Sequence, residues 1–341
     1  MIYCLKLRFM KVVIPVAGVG SRLRPHTHTQ PKSLVPVADN TILGHIIERL
    51  LDAGIQDFVF IIGYMGEKIE NYVRQKYPNI KSEFVVQEPR EGLGHALWVA
   101  RDTYRTEDSI LIMLGDAIVD VDLEAVIQAP HSVLAVKKVS KPSLFGVTEV
   151  GSDEFITKLV EKPMIPKSNF ALVGLYKIMQ PEKLVESLEY IMQADIRTQN
   201  EYHLTDALMH MIRNGEKMAT WSVDNWFDCG RKETLLEANA TLLSRPEFRK
   251  KDYSQYPNTI IIPPVSIGEN CQVANSIIGP YVAIGDNTIV TSSILSNSII
   301  GSFSELQYAV MRDSIIGSDA SFKGLSHSLN IGDSTEINFG Q

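Results

Sequence analysis

The sequence has few cysteines, three in 341 residues, at positions 4, 229 and 271. A set so small and so scattered excludes a disulfide framework and a cysteine-rich zinc site, because both need cysteines at short paired spacings. The composition fits a reducing compartment, in which free thiols persist. We therefore predict a cytoplasmic protein.

The chain also lacks a long apolar run and a surplus of positive charge. No stretch approaches the roughly 20 apolar residues that cross a bilayer, so no membrane partner is expected. Residues 1–9 are too short for a secretory leader, and Met10, directly before the first predicted strand, offers an alternative start. The net charge of −7 disfavours a nucleic-acid surface, and any anion-binding site must be locally basic.

The most informative stretch is residues 11–37. The apolar run Val12–Val16 predicts a buried strand, which leads into a loop that holds Gly18 and Gly20. Glycines let backbone N–H groups approach an anion closely. Further donors and positive charges follow at Ser21, Arg22, Arg24 and Lys32. The loop is therefore predicted to bind phosphate groups.

Two familiar phosphate-binding motifs do not fit this loop. Leu23 stands where the dinucleotide-binding fingerprint needs its third glycine. The Lys32-Ser33 pair lacks the preceding glycines of a P-loop. The loop is thus of a different type.

Apolar segments of strand length alternate with segments of helical periodicity as far as about residue 243. Strands are predicted at 58–62, 83–86 and 109–114, and helices at 41–53, 67–76, 94–104, 181–193 and 203–213. This alternation predicts an α/β domain with a Rossmann-like, mostly parallel mixed sheet flanked by helices. Ligands of such sheets bind outside the carboxyl ends of the strands.

The final third of the chain differs in composition. Residues 244–259 predict a linker, and beyond them isoleucine-glycine pairs recur, with one hexapeptide interval between Gly279 and Gly285. This pattern predicts a left-handed parallel β-helix, in which each coil buries its aliphatic side chains against the next. The predicted domains are a catalytic domain at 10–243, the linker at 244–259 and the β-helix at 260–341.

Residues 17–27 (AGVGSRLRPHT) and 32–37 (KSLVPV) resemble the signature of the sugar-1-phosphate nucleotidylyltransferases. That signature is roughly A-G-x-G-(T/S)-R-L-x-P-x-T followed by K-x-L-x-P-V. The resemblance implies a nucleotide-binding loop formed by Ala17, Gly18, Gly20 and Ser21. It also implies that Arg22 and Lys32 neutralise phosphate charge.

Further segments match the family in order. Residues 87–96 resemble Q-x-x-x-x-G-L-(A/G)-x-A, which implies that Gln87 and Gly92 contact the base. An amide side chain and a free backbone supply both the donor and the acceptor that an imide edge requires. The alternative interpretation is a turn before the next helix.

Two aspartates are implied as Mg²⁺ ligands. Asp116 follows a predicted strand in Leu-Gly-Asp, although Ala117 replaces the Asn or His that the family usually has next. Asp228 lies in a segment similar to the family's W-x-D-x-G. Two carboxylates leave coordination sites for phosphate oxygens and water, as magnesium prefers. We interpret the nearby Asp120 and Asp122 as a turn and a helix cap.

The sugar side of the site is implied by three more segments: (Y/F)-G-V at 145–147, (V/E)-E-K-P at 160–163 and V-G at 173–174. The implied sugar contacts are Gly146, Glu161, Val173, Gly174 and Glu201, and Lys162 would hold the sugar phosphate. The match of the segment around Glu201 to the family's E-x-x-(I/L)-T-D is looser. The alternative interpretation is that Thr205 and Asp206 simply cap the helix predicted there.

Taken together, the chain resembles the long-form glucose-1-phosphate nucleotidylyltransferases. The implied reaction joins a nucleoside triphosphate and a hexose-1-phosphate, with Mg²⁺, into an NDP-sugar and pyrophosphate. Thymine and uracil share one imide edge, so Gln87 cannot separate dTTP from UTP. We favour dTTP narrowly, because the hexapeptide tail resembles that of the long-form thymidylyltransferases, and we expect a homo-oligomer. Guanylyl transfer to mannose-1-phosphate, a non-catalytic regulatory subunit and a bifunctional acyltransferase with His327 as base remain alternatives.

Overall fold

The computed structural model describes residues 10–248 and 252–324, so the predictions on residues 1–9 and on His327 lie outside the described residues. The chain divides into two compact units, one ending at Ala238 and the other beginning at Asn239. The finer domain bounds stay a prediction. Within the described ranges, no helix is long and apolar enough to cross a membrane.

The N-terminal unit is built on a nine-stranded mixed sheet. Its strands and two short ribbons are β1 (Lys11–Pro15), β2 (Pro36–Val37), β3 (Asn40–Thr41), β4 (Asp57–Ile62), β5 (Lys81–Val86), β6 (Ile110–Met113), β7 (Ala117–Asp120), β8 (Ser132–Lys138), β9 (Val147–Val150), β10 (Ile156–Val160), β11 (Phe170–Ile178), β12 (Met218–Ser222) and β13 (Asn225–Asp228). Its α-helices are α1 (Ile42–Asp52), α2 (Gly66–Lys76), α3 (Leu93–Val99), α4 (Leu123–Gln128), α5 (Pro181–Gln193) and α6 (Leu204–Arg213). Helix α7 (Lys232–Leu243) begins in this unit and continues past Ala238.

The central strand is β1, which pairs in parallel with β4 on one side and β6 on the other. β5 continues the parallel part beyond β4, whereas β11 pairs antiparallel with β6. The inner strands are almost wholly buried, as the apolar sequences of β1, β4 and β6 require when helices cover both faces. The predicted Rossmann-like mixed sheet is confirmed.

Helix α1 shows how the local sequence fixes these elements. Its apolar residues recur at helical spacing, and most of them, Leu43 among them, are buried. The hydroxyl of Thr41 accepts a hydrogen bond from the Gly44 N–H and caps the first turn. Asp122 likewise caps α4 by accepting from the Ala125 N–H, which confirms its predicted role.

The predicted helix at 94–104 was too long. Helix α3 ends at Val99, and Arg101–Thr103 forms a separate 3-10 turn. The reason is local, because both the N–H and the hydroxyl of Thr103 donate to the Ala100 carbonyl and tighten the chain there.

A ribbon that the sequence analysis missed joins two distant segments. β7 and β13 pair antiparallel, with Asp228 opposite Ala117. The Cys229 N–H donates to the Asp116 carbonyl at 3.2 Å, which extends the ribbon by one bond. Asp116 and Asp228 are therefore held at the same end of this ribbon.

The C-terminal unit is a left-handed parallel β-helix of three four-stranded sheets. The strands of each sheet, in order, are β14 (Ile260–Ile261), β17 (Ile277–Ile278), β20 (Ile294–Ser296) and β23 (Val310–Arg312); β15 (Val265–Ile267), β18 (Val282–Ile284), β21 (Ser298–Ile300) and β24 (Ile315–Ile316); and β16 (Gln272–Ala274), β19 (Ile289–Thr291), β22 (Glu305–Gln307) and β25 (Ser321–Lys323). The predicted fold class is confirmed.

Most of the described isoleucine-glycine pairs mark one corner of successive coils, whereas Ile278, which precedes Gly279, belongs to the sheet that contains β17. Ile267, Ile284 and Ile300 stack in register in the sheet formed by β15, β18 and β21. Neighbouring coils are offset by 17 or 16 residues, as the bonds Ser293 N–H to Ser276 hydroxyl and Ala309 N–H to Ser293 hydroxyl show. A coil is thus slightly shorter than three hexapeptides, so the repeat appears only irregularly in the sequence.

Strand β20 allows a matched test of what stabilises the coils. Leu295 is fully buried, whereas its neighbour Ile294 points outward and is 47% exposed. We expect Leu295→Ala to lower the free energy of unfolding by about 2–5 kcal/mol, since it leaves a cavity. Ile294→Ala removes as many atoms as Leu295→Ala does, but we expect it to change the free energy of unfolding by about 0.5 kcal/mol or less. Urea unfolding followed by circular dichroism measures both, and equal midpoints would contradict the inward packing.

Candidate active site

The N-terminal unit contains a cleft of about 1250 Å³ that brings most of the predicted site residues together. Those lining it are Ser21, Arg22, Asp116, Gly146, Glu161, Lys162, Val173, Glu201 and Asp228. A second cavity of about 220 Å³ shares some of them and adds Gly18, Gly20 and Lys32. Ala17 is buried, and Gly174 lies within β11.

Lys32 lies between the two aspartates. Its side chain is mostly buried, and its Nζ is 2.8 Å from Asp116 Oδ2 and 3.6 Å from Asp228 Oδ1. Arg22 Nη1 is 3.9 Å from Asp228 Oδ2. Three segments remote in sequence thus contribute to one charged cluster.

Gly20 allows this approach. Its φ of +67° lies in the left-handed region, and an added Cβ would come within 2.8 Å of Lys32 Cβ. Any other residue would be strained and would press on the lysine. Gly20 therefore leaves room for the Lys32 side chain and also leaves the loop backbone open to a ligand.

The carboxylates of Asp116 and Asp228 converge on the Lys32 ammonium. Both lie within 4 Å of one ammonium, and their side chains are 46% and 25% exposed, so each keeps an open side. Within residues 10–248 and 252–324, no cluster of three or more His, Cys, Asp or Glu side chains is placed to hold a metal ion. Two protein carboxylates suit magnesium, which retains water and phosphate oxygens as its other ligands.

Buried Cys229 follows Asp228 directly but differs from it in chemistry. Burial raises the pKa of its thiol to about 12, and the negative charges of Asp116 and Asp228 act in the same direction. The thiol therefore stays protonated at neutral pH, which makes Cys229 a packing residue beneath the carboxylates.

Glu161 is the centre of a second polar cluster in the same cleft. Its Oε2 accepts a hydrogen bond from the Thr205 hydroxyl at 2.9 Å, and Lys162 Nζ is 3.8 Å from its Oε1. Gly146 makes room for this carboxylate, because an added Cβ would lie 2.9 Å from Glu161 Oε2. The predicted residues Gly146, Glu161 and Lys162 are thus adjacent in space.

The alternative capping role of Thr205 and Asp206 is wrong. The N-cap of α6 is His203, and its side chain makes no capping hydrogen bond. Thr205 donates to Glu161 instead, and Asp206 accepts from the Thr198 hydroxyl at 3.1 Å. Thr205 and Asp206 are the second and third residues of the helix, not its N-cap, and these hydrogen bonds engage their side chains elsewhere. Burial raises the pKa of the Asp206 carboxyl.

Gln87 and Gly92 are close together but line neither of the two cavities described above. Gln87 is buried, and its Nε2 donates to the Gly92 carbonyl at 2.9 Å and lies 3.2 Å from His95 Nδ1. Burial lowers the pKa of His95, so the ring stays neutral and Nδ1 can accept that bond. These two contacts fix the orientation of the Gln87 amide.

Sequence reasoning missed several residues that line the cleft. Trp226 packs edge-on against Phe145, with ring centroids 4.8 Å apart, and both line the cleft. These two rings belong to the matched motifs, but no role was assigned to them. Arg231 and His203 line the cleft as well. They lie at positions that the motifs leave unspecified, so no signature pointed to them.

Comparison with known proteins identifies the family of the chain. The family model described as nucleotidyl transferase matches residues 11–245. The bifunctional protein GlmU of Methanocaldococcus jannaschii is 37% identical over 69% of this chain and 55% of its own length. The nucleotidyltransferase Agl11 of Haloferax volcanii, from low-salt glycan biosynthesis, is 33% identical over 71% and 68%. A glucose-1-phosphate thymidylyltransferase of Streptomyces antibioticus is 31% identical over 77% and 74%.

The chain therefore spans about half the length of the archaeal GlmU proteins that it matches. Among solved structures, a UDP-glucose pyrophosphorylase from Acinetobacter baumanii superposes with a TM-score of 0.58 at 25% identity, over 70% of this chain and 95% of the other. The family match and these relatives agree over the part of the chain that forms the cleft. The chain belongs to the nucleotidyl transferase family, as one of the sugar-1-phosphate nucleotidylyltransferases.

Proposed function

We propose that this chain transfers the nucleotidyl group of dTTP or UTP to a hexose-1-phosphate, glucose-1-phosphate above all, and releases pyrophosphate. The observation that carries the proposal is the position of Lys32, whose Nζ contacts both Asp116 and Asp228 beside Arg22. The same cleft holds Glu161 and Lys162, which suit a sugar phosphate. One cleft thus offers separate groups for both substrates.

The reaction needs little covalent chemistry from the protein. The attacking oxygen of a sugar phosphate is already anionic, so no general base is required. Lys162 orients that phosphate, while Arg22 and Lys32 neutralise the negative charge that accumulates on the departing pyrophosphate. Catalysis is therefore alignment and charge neutralisation by fixed side chains.

Asp116 and Asp228 would hold a Mg²⁺ ion. The two carboxylates already share one cation, the Lys32 ammonium, and each keeps an exposed side, so they fit this role. When bound, the ion supplies Lewis-acid stabilisation of phosphate charge. Lys32 offsets part of the mutual repulsion of the two carboxylates, which keeps them close together.

The base is proposed to pair with Gln87 and the Gly92 segment. Because Gln87 Nε2 is engaged with the Gly92 carbonyl and His95, the amide oxygen is the group that would accept the imide N–H of thymine or uracil. The two bases differ by one methyl group, which a pocket discriminates by about 1–3 kcal/mol. We favour dTTP and expect UTP to be accepted.

The function is tested by pyrophosphate release with Mg²⁺ and glucose-1-phosphate, with dTTP, UTP, ATP, CTP and GTP in parallel. We expect release with dTTP and, more slowly, with UTP. Release with GTP and mannose-1-phosphate alone would indicate guanylyl transfer instead. The absence of pyrophosphate release with every nucleotide and sugar phosphate would favour the alternative that the chain is a non-catalytic regulatory subunit.

Asp228→Asn tests the carboxylate pair. The change keeps the shape of the side chain but removes one of two charges, so we expect kcat to fall by about 10²–10³-fold. The matched control is Asp224→Asn, which alters an exposed aspartate outside the cleft. Steady-state kinetics and thermal unfolding of both variants give the comparison, and wild-type turnover of Asp228→Asn would remove this residue from the site.

Gly92→Ala tests the base-binding segment. Gly92 has a φ of +104°, and an added Cβ would lie 2.6 Å from the Tyr202 carbonyl. Gly215 has a φ of +91° with open space around it, so Gly215→Ala carries the backbone strain without the clash. We expect Gly92→Ala to raise KM for the nucleotide by about tenfold or more, and Gly215→Ala to leave it unchanged. Equal KM values in the two variants would contradict the assignment of this segment to the nucleotide.

A further inference from the structure

His203 is a buried polar residue that the proposed mechanism leaves without a role. It lies directly before α6, lines the cleft and is 8% exposed. Its Nε2 is buried and has no hydrogen-bond partner, and its Nδ1, the atom that faces Glu161, lies beyond hydrogen-bond distance of that carboxylate. Because most buried polar side chains are hydrogen-bonded, a ring in this state calls for an explanation.

The neighbour of His203 in the cleft is Glu161. Its Oε1 is 3.9 Å from His203 Nδ1, while Oε2 is already bonded to the Thr205 hydroxyl. A separation of 3.9 Å is too long for a direct hydrogen bond. An oxygen atom about 2.8 Å from each of the two atoms would join them with ordinary hydrogen-bond lengths, and both residues line the cleft from which such an atom would approach.

The chemistry of the two atoms defines what can occupy that position. The carboxylate beside Nδ1 favours the tautomer that carries its proton on Nδ1, so this atom donates and Glu161 Oε1 accepts. A group held by both must accept one hydrogen bond and donate another. A hydroxyl does both, whereas an ether oxygen or a carbonyl cannot donate.

A purely structural role does not account for this placement. The side chain of His203 makes no capping hydrogen bond to α6, although it stands at the N-cap position. Helix α6 also carries His210, whose Nδ1 is 3.0 Å from the Ser187 hydroxyl and whose ring stacks on Tyr190. The two histidines thus differ: the ring of His210 has a hydrogen-bonding neighbour and a stacking partner, whereas His203 Nε2 has no hydrogen-bond partner.

We propose that His203 is a substrate-binding residue that, with Glu161, holds one ring hydroxyl of the hexose: Nδ1 donates to the hydroxyl oxygen, and the hydroxyl donates to Glu161 Oε1. The inference rests on the proposed hexose-1-phosphate substrate and adds a determinant of which sugars are accepted. Sugars that lack this hydroxyl leave a buried donor and a carboxylate unpaired, so they bind more weakly.

The test combines variants with substrate analogues. His203→Phe keeps a planar ring without hydrogen bonds, and His203→Asn carries an N–H group near the position of Nδ1. His210→Phe is the matched control, since it makes the same change on the same helix. Each protein is assayed with glucose-1-phosphate and its 2-, 3-, 4- and 6-deoxy analogues.

We expect one deoxy analogue to raise the wild-type KM for the sugar phosphate by about 10–100-fold, with a smaller effect on kcat. His203→Phe should raise KM for glucose-1-phosphate by a similar factor and no longer distinguish that analogue. His203→Asn should recover part of the discrimination, and His210→Phe should match the wild type. Discrimination that persists in His203→Phe would overturn the proposal.

Calorimetric titration with glucose-1-phosphate and with dTDP-glucose separates this inference from the proposed function. Binding that depends on His203 in a protein without turnover would refute the catalytic proposal and support the sugar contact. Turnover with sugar affinity that is independent of His203 would refute the contact alone. Absence of both binding and turnover would refute both.

Discussion

The active-site cleft depends on one buried ammonium group. Lys32 Nζ contacts Asp116 and Asp228, and burial of a lysine is costly unless such partners are present. Conversely, the two aspartates would repel each other without it. This mutual dependence joins the loop after β1, the end of β6 and the end of β13. The nine-stranded sheet fixes where the segments after β1 and β6 emerge, and the β7–β13 ribbon fixes the end of β13.

Much of this arrangement could be predicted from the sequence. The apolar runs of β1 and β4 and the spacing within α1 follow from burial and periodicity. The site residues at 17–32, 116, 161–162 and 228 were assigned by resemblance to a family signature, and the structure brings most of them to one cleft. Such residues are predictable because phosphate chemistry restricts both their type and their spacing.

Other features could not be predicted, for physical reasons. The β7–β13 ribbon is short, and its pairing joins segments more than 100 residues apart, as the contact between Asn225 and Asp120 shows. Local sequence does not encode that partner. His203 lies at a position that the motif leaves unspecified, and its place beside Glu161 follows only from the fold. The coil length of the β-helix was obscured because offsets of both 17 and 16 occur.

The construction of the β-helix has a consequence for how the chain can change over evolutionary time. Each strand of a coil pairs with the equivalent strand of the coil before it and of the coil after it. Loss or duplication of one complete coil would leave the remaining ladders in register, with the same isoleucines stacked at the same corner. The length of this unit can therefore vary in discrete steps of one coil, without a change in the strand pairing that joins any two neighbouring coils.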